Sequence, residues 1–224
     1  MRTMQGRLIV FEGVEGCGKT TQIAYLRQWL EESGAVEQFV KAGKVSKLVT
    51  TREPGGTALG QEIRQLLLHS TTEQIQARTE LLLYAADRAQ HVEGVLRPGL
   101  ADGALILCDR YTDSTLAYQG YGRGLDRALI DQLNQIATGG LESDLTLWLD
   151  VDVKIGLERA RQRGIHDRME QATLEFHQRV QQGFMELAQS FPQRIVRVDA
   201  SLDEQAVANQ IQAIVQQHLA KWYP

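Results

Sequence analysis

Eight consecutive residues constrain this chain most. Gly13-Val14-Glu15-Gly16-Cys17-Gly18-Lys19-Thr20 follows the apolar, β-forming run Leu8-Ile9-Val10-Phe11. It opens a stretch from Lys19 to Glu32 in which Ile23, Leu26 and Leu30 recur at helical spacing. The octet fits G-x-x-x-x-G-K-[ST]. Glycines let successive backbone N–H groups converge on one point without a Cβ clash. Those donors, with the positive end of the following helix, suit phosphate oxygens. Lys19 adds a point charge between β- and γ-phosphates, and the Thr20 hydroxyl suits Mg²⁺. A strand before and a helix after separate such a cradle from a chance glycine-rich turn with a solvated lysine. The nucleotide-binding residues expected here run from Gly13 through Thr20, with Thr21 beside them.

The rest of the chain repeats the strand–helix alternation. Leu48-Val49-Thr50-Thr51, Ala104-Leu105-Ile106-Leu107-Cys108, Leu145-Thr146-Leu147-Trp148-Leu149 and Ile195-Val196-Arg197-Val198 read as further strands. Helical patterns fall near residues 57–69, 77–97, 126–138, 153–163, 171–190 and 202–220, with Pro98-Gly99 closing the second. Such alternation predicts an α/β fold of three layers, α/β/α, around a five-stranded parallel sheet. At roughly 150 residues per domain, a chain of 224 residues without repeats or Pro-rich linkers reads as one domain over 1–224.

Charge and cysteines narrow the class. Lys and Arg total 24 against 28 Asp and Glu, a net charge of −4. That balance argues against a nucleic-acid coat or a polybasic membrane binder. No apolar run is long enough to span a bilayer, and no signal peptide is expected in the first residues. Two cysteines, Cys17 and Cys108, form no framework and suggest a reducing, cytoplasmic compartment.

Asp109 ends the run through Cys108, so it should emerge near the cradle and hold Mg²⁺ with Thr20, unless it only caps the strand. A GTPase switch, an ATP-driven motor and a small-molecule kinase share this cradle. The guanine-reading Asn-Lys-x-Asp signature is absent, and no extension for a motor's partner is visible. A kinase needs cationic groups for the moving phosphoryl, and arginines are well placed for it. Arg110 follows Asp109, Arg52 follows the second strand, and Arg64 and Arg88 lie on the next helices. Arg159, Arg161, Arg163 and Arg168 cluster around Gly164. Guanidinium forks suit phosphate oxygens better than lysine. An arginine-rich lid over about residues 159–171 would neutralise developing charge and exclude water. A solvated helix whose arginines pair with Glu158, Asp167 and Glu170 is the plain alternative.

Together the motifs resemble the thymidylate kinase family in its bacterial form, a P-loop nucleoside-monophosphate kinase type. The pieces are Phe11-Glu12-Gly13-Val14-Glu15-Gly16, Thr51-Arg52-Glu53-Pro54-Gly55-Gly56, Tyr84-Ala85-Ala86-Asp87-Arg88, Asp109-Arg110-Tyr111, Ala117-Tyr118-Gln119-Gly120 and the arginines from Arg159 to Arg168. The resemblance implies transfer of the ATP γ-phosphoryl to dTMP, giving dTDP and ADP, with Mg²⁺ at Thr20 and Asp109. It implies Glu15 at the acceptor's 3′-hydroxyl and Arg110, Arg52 and Arg64 at its phosphate. Tyr84 would stack on thymine, Arg88 would donate to O4, and Thr115 and Gln119 would complete the base contacts. Tyr118 would crowd a ribose 2′-hydroxyl. Lys19, Asp109, Arg110 and the lid's Arg163, Arg159 and Arg168 would carry the transfer. A homodimer is also implied. A kinase for another monophosphate, such as dUMP or dCMP, and a noncatalytic nucleotide switch are the rival readings.

Some residues stand outside that pattern. Residues 37–47 are longer than the family usually has and read as a polar surface excursion. Tyr84 stands where Phe is commoner. The five histidines show no metal-ligand spacing, and Cys17 reads as a small filler in the cradle.

Overall fold

The computed structural model describes residues 6–69, 74–162, 164 and 168–224. Five strands form one parallel sheet: β1 (Arg7–Glu12), β2 (Leu48–Arg52), β3 (Leu105–Asp109), β4 (Leu145–Asp150) and β5 (Ile195–Asp199), in the order β2-β3-β1-β4-β5. Registers run Ile9 to Leu107 and Leu145, Thr50 to Leu107, and Leu147 to Val196. Each strand ends on a charged residue: Glu12, Arg52, Asp109, Asp150 and Asp199. The carboxyl edge of the sheet is therefore a polar rim, where ligands of open α/β sheets bind.

The helices follow in chain order. They are α1 (Lys19–Glu32), α2 (Ala35–Lys41), α3 (Ala58–His69), α4 (Ala77–His91), α5 (Arg97–Ala101), α6 (Thr112–Thr115), α7 (Arg127–Thr138), α8 (Val153–Gln162), α9 (Leu174–Ser190) and α10 (Glu204–Trp222). π-helical turns over Val92–Leu96 and Leu116–Gly122 extend α4 and α6. Alternation along the strands separates two cores. Ile9, Phe11, Leu105 and Leu107 join Ile23, Leu26 and Leu30 of α1 and Ile211 and Val215 of α10. Leu8, Val10, Ile106 and Cys108 join Val92, Leu96 and Tyr111. Burying both faces explains why these strands read as unbroken apolar runs.

Two expectations change. Helical structure does not stop at Pro98-Gly99. It runs on without a break through the π-helical turn Val92–Leu96 into α5, whose second residue is Pro98. Residues 37–47 are more than a polar excursion. They hold most of α2, Val45 enters the core, Phe39 meets the Tyr223 ring at 5.1 Å, and Lys44 Nζ donates to the Tyr223 carbonyl at 3.0 Å.

Candidate active site

The turn between β1 and α1 is shaped by glycines with positive φ: Gly13 at 144°, Gly16 at 69° and Gly18 at 95°. At Gly16 a side chain is excluded twice over. A Cβ there would run into the backbone oxygen of Gly156 on α8, and one on Gly156 would reach Glu15 O. The first turn of α1 carries no acidic residue, so its positive end stays uncompensated. Lys19 is buried. Its Nζ donates to Gly13 O at 3.2 Å and Val14 O at 3.1 Å and lies 3.4 Å from Cys17 Sγ. All these partners are neutral, which leaves the ammonium charge for an anion.

Thr20 Oγ1 donates to Asp109 Oδ2 at 3.4 Å. Asp109 Oδ1 is buried with no hydrogen-bond partner. A hydroxyl and an unsatisfied carboxylate oxygen fit a hard divalent cation. No group of three or more Asp, Glu, His or Cys converges among the described residues. Further oxygens at such a site would come from nucleotide phosphates and water, the usual arrangement for Mg²⁺.

Arg110 adopts φ 68°, unusual for a residue with a Cβ. Its backbone is held by a bond from Arg110 N to Phe11 O at 2.9 Å. Nη1 donates to Gly13 O at 2.9 Å and Ser114 Oγ at 3.1 Å. Nη2 donates to Glu15 Oε1 at 2.7 Å and Tyr118 Oη at 3.1 Å. Glu12, fully buried, fastens the same turn by accepting from Tyr111 N at 2.8 Å and Ser114 N at 3.0 Å. Burial and neighbouring Asp113 push Glu12 up to about 7. Burial alone would raise Glu15 too, but Arg110 and Lys19 reverse that and hold it down at about 2. Tyr118 Oη donates to Glu15 Oε1 at 2.9 Å, and its ring sits edge-on to Phe176 and Phe184 at 6.2 Å.

Arg88 is buried on α4. Nε donates to Glu53 at 2.8 Å, Nη1 to Thr115 Oγ1 and Asn134 Oδ1, and Nη2 to the Tyr111 carbonyl. A guanidinium has five N–H donors, so one on Nη2 remains. His91 Nδ1 lies 2.8 Å from the other Glu53 oxygen, and Thr51 Oγ1 lies 2.7 Å from His91 Nε2.

One cavity of about 650 Å³ joins these parts. Of the sequence candidates, Glu15, Gly16, Cys17, Gly18, Lys19, Thr20, Thr21, Arg52, Arg64, Tyr84, Arg88, Asp109, Arg110, Thr115, Tyr118, Gln119 and Arg159 line it. Gly13 and Val14 do not line it, although their carbonyls orient Lys19. Arg159 donates to Ala200 O at 3.2 Å. Arg163 lies outside the described residues. Arg168 faces elsewhere: Nε donates to Leu67 O at 2.9 Å, and Nη2 lies 2.6 Å from Glu80. Glu80 was missed from sequence, although residues 80, 84 and 88 share one face of α4 at i, i+4 spacing. Leu202, Asp203 and Glu204 also line the cavity, with no motif to announce them.

Comparisons with known proteins agree among themselves. The family model described as thymidylate kinase matches residues 11–211. A curated thymidylate kinase from Cyanothece sp. is 62% identical, the match covering 99% of this chain and 98% of that one. One from Trichodesmium erythraeum is 59% identical over 98% of this chain and 99% of its own. The crystal structure of thymidylate kinase from Ehrlichia chaffeensis superposes with a TM-score of 0.74 at 31% identity, covering 94% of this chain and 99% of that one.

Proposed function

The chain belongs to the thymidylate kinase family, and on that premise we propose how its own residues carry the γ-phosphoryl group of ATP to dTMP. The reading rests on one observation: a single cavity is lined by Lys19 and Thr20 at one end and by Tyr84, Arg88, Thr115 and Gln119 at the other, with Arg110 bonded to both Gly13 and Tyr118.

The enzyme moves the terminal phosphoryl of ATP onto dTMP and releases dTDP and ADP. An oxygen of the acceptor phosphate forms the new bond to γ-phosphorus as the bond to the ADP oxygen breaks. That acceptor is ionised at neutral pH and needs no base, so the residues mainly align and stabilise charge. In this reading the 13–20 turn and the α1 N-terminus hold the donor phosphates, and Lys19 leaves its carbonyl partners for them. Thr20 and Asp109 would hold Mg²⁺, which would neutralise charge on the donor phosphates.

Arg110, Arg52 and Arg64 take the dTMP phosphate. Arg52 makes no ion pair among the described residues, while Arg64 Nη1 donates to Pro54 O at 2.9 Å. Glu15, ionised across the neutral range, accepts from the 3′-hydroxyl. Tyr118 is pinned by Glu15, Arg110 and two aromatic rings, so it has no room to yield to a 2′-hydroxyl. Tyr84 stacks on thymine, and the remaining Arg88 N–H meets O4. The lid over about 159–171 supplies Arg163 and Arg159 to the moving phosphoryl, with Arg168 anchoring its far end. The whole chain acts as one kinase unit.

A coupled ADP-release assay with ATP, Mg²⁺ and a panel of monophosphates tests the specificity. Rapid turnover with dTMP and little with dUMP or dCMP is expected. A dTMP co-crystal with the nucleotide away from Tyr84 and Arg110 would overturn the residue assignment.

We also propose a homodimer and a cytoplasmic setting. Helices α3, α4 and α7 expose Leu59, Leu66, Leu82, Leu129 and Ile136, apolar side chains that a second copy would cover. Light scattering at micromolar concentration should give twice the 25.1 kDa chain mass. Cys17 and Cys108 are buried free thiols, which is compatible with a reducing compartment. No helix among the described residues is long and apolar enough to cross a membrane.

A further inference from the structure

Gln119 lines the cavity with a carboxamide whose orientation is dictated from behind. Its Nε2 donates to Glu80 Oε1 at 2.8 Å. An ionised carboxylate only accepts hydrogen bonds, so the contact settles which end of the amide is nitrogen. The Gln119 Oε1 accepts nothing from the described residues and is left for a ligand.

Glu80 has no freedom to play any other part. It is fully buried on α4, one turn before Tyr84 and two before Arg88. Oε1 also accepts from Arg123 Nε at 3.2 Å, and Oε2 accepts from Arg123 Nη2 at 3.1 Å and pairs with Arg168 Nη2 at 2.6 Å. Burial opposes its charge, but the bonds from Arg123 and Gln119, with Arg168 nearby, hold its carboxyl below the ordinary value. Every group on it is a donor.

The polarity of the base-reading wall follows. Arg88 offers an N–H and Gln119 offers an oxygen. A thymine edge presents O4, an acceptor, beside N3–H, a donor. A cytosine edge presents the reverse, an amino donor beside an unprotonated N3. We propose that Glu80 is a positioning residue that fixes Gln119 as a hydrogen-bond acceptor and so makes the site choose thymine over cytosine. This rests on the reading of Tyr84, Arg88 and Gln119 as the base pocket.

The test is the ratio of kcat/KM for dTMP to that for dCMP, with ATP and Mg²⁺. The ratio is independent of the fraction of active enzyme. In Glu80→Gln the amide oxygen stays with the two guanidinium groups, Arg123 Nη2 and Arg168 Nη2, so the new nitrogen faces Gln119, turns it round and presents a donor to the base. The ratio should fall about tenfold or more, as for one buried polar group left unmatched. Adding Gln119→Glu to that variant restores an obligate acceptor and should recover most of the discrimination, which a merely structural role for Glu80 would not allow. An unchanged ratio in Glu80→Gln, or no recovery in the double variant, overturns the proposal. Gln119→Met separates it from the reading beneath. If Gln119→Met leaves the ratio intact, Gln119 does not read the base at all. If Gln119→Met lowers it and Glu80→Gln does not, Glu80 alone is excluded. Should Glu80→Gln fail to fold, Glu80→Asp keeps the charge but withdraws the carboxylate, and the same fall is expected; an unchanged ratio there overturns the proposal equally.

Discussion

The Arg110 guanidinium lies 2.7 Å from Glu15 Oε1, so the turn after β3 and the turn after β1 are tied by an ion pair. Both groups are largely buried, and each is the other's main compensating charge. Arg110→Ala should cut kcat/KM for dTMP about a hundredfold, the scale of losing bidentate charged contacts to phosphate. It should also release Glu15, whose carboxyl, left with burial and less compensation, rises from about 2. Steady-state kinetics and titration of Glu15 by carboxyl NMR check the two halves. A Glu15 that stays near 2 in the variant would show that Arg110 is not what holds it down.

Glu12 gives a pH signature of the opposite sign. Its folded value, about 7, stands above its ordinary 4.5. Its stabilising contribution is complete below 4.5 and is lost as pH rises through about 7. Glu12→Gln keeps the bonds to Tyr111 N and Ser114 N without the titration. Urea midpoints measured from about pH 4.5 to about pH 8 should fall less steeply in the variant than in the parent.

Lys19→Ala should abolish turnover, by about 10³-fold or more in kcat, because the P-loop lysine carries charge at the phosphates themselves. Its bonds within the protein go only to Gly13 O, Val14 O and Cys17 Sγ among the described residues. Circular dichroism should therefore show an intact fold. Retained activity would remove the cradle from the mechanism.

Arg163 and Arg168 should divide by the role proposed for each. Arg163→Ala is expected to lower kcat far more than it raises KM for dTMP. Arg168→Ala removes the ion pair with Glu80 and the bond to Leu67 O, so it should raise KM and lower Tm, with a smaller change in kcat. Equal kcat losses in both variants would contradict this division.

Glu53 and Arg88 form a buried ion pair at 2.8 Å. The other groups bonded to Arg88 are neutral, so Glu53→Gln leaves a buried guanidinium without its bonded counter-charge. Breaking such a pair costs about 3–5 kcal/mol. Chemical denaturation should register that loss, and dTMP should then raise Tm less than in the parent.

Local pattern carried much of this architecture. Helix α1 spans Lys19–Glu32 as the apolar spacing predicts, and each expected strand gained a charged residue at its carboxyl end, with β3 starting at Leu105 instead of Ala104. The cavity residues after β1, β2 and β3 were legible from motifs at strand ends, and the roles of Tyr84, Arg88, Thr115, Tyr118 and Gln119 on helical segments only through the family resemblance. What stayed hidden needs contacts distant in sequence. Phe39 and Lys44 find their partners at the far end of the chain: Phe39 meets the Tyr223 ring, and Lys44 bonds the Tyr223 carbonyl 179 residues away. Arg168 turns from the cradle because Glu80 and Leu67 O wait on two other helices. Glu80 itself shows only as a polar residue on an otherwise ordinary helix face, and its value appears once Gln119, Arg123 and Arg168 close around it.

The meeting of Gly16 with Gly156 has a mechanical meaning. Where the phosphate turn touches α8 there is bare main chain on both sides, and hence no rotamer to absorb a displacement. A single methyl at either position acts as a wedge. The turn after β1 and the middle of α8 are thereby one stiff seam, and a shift in either backbone passes straight to the other.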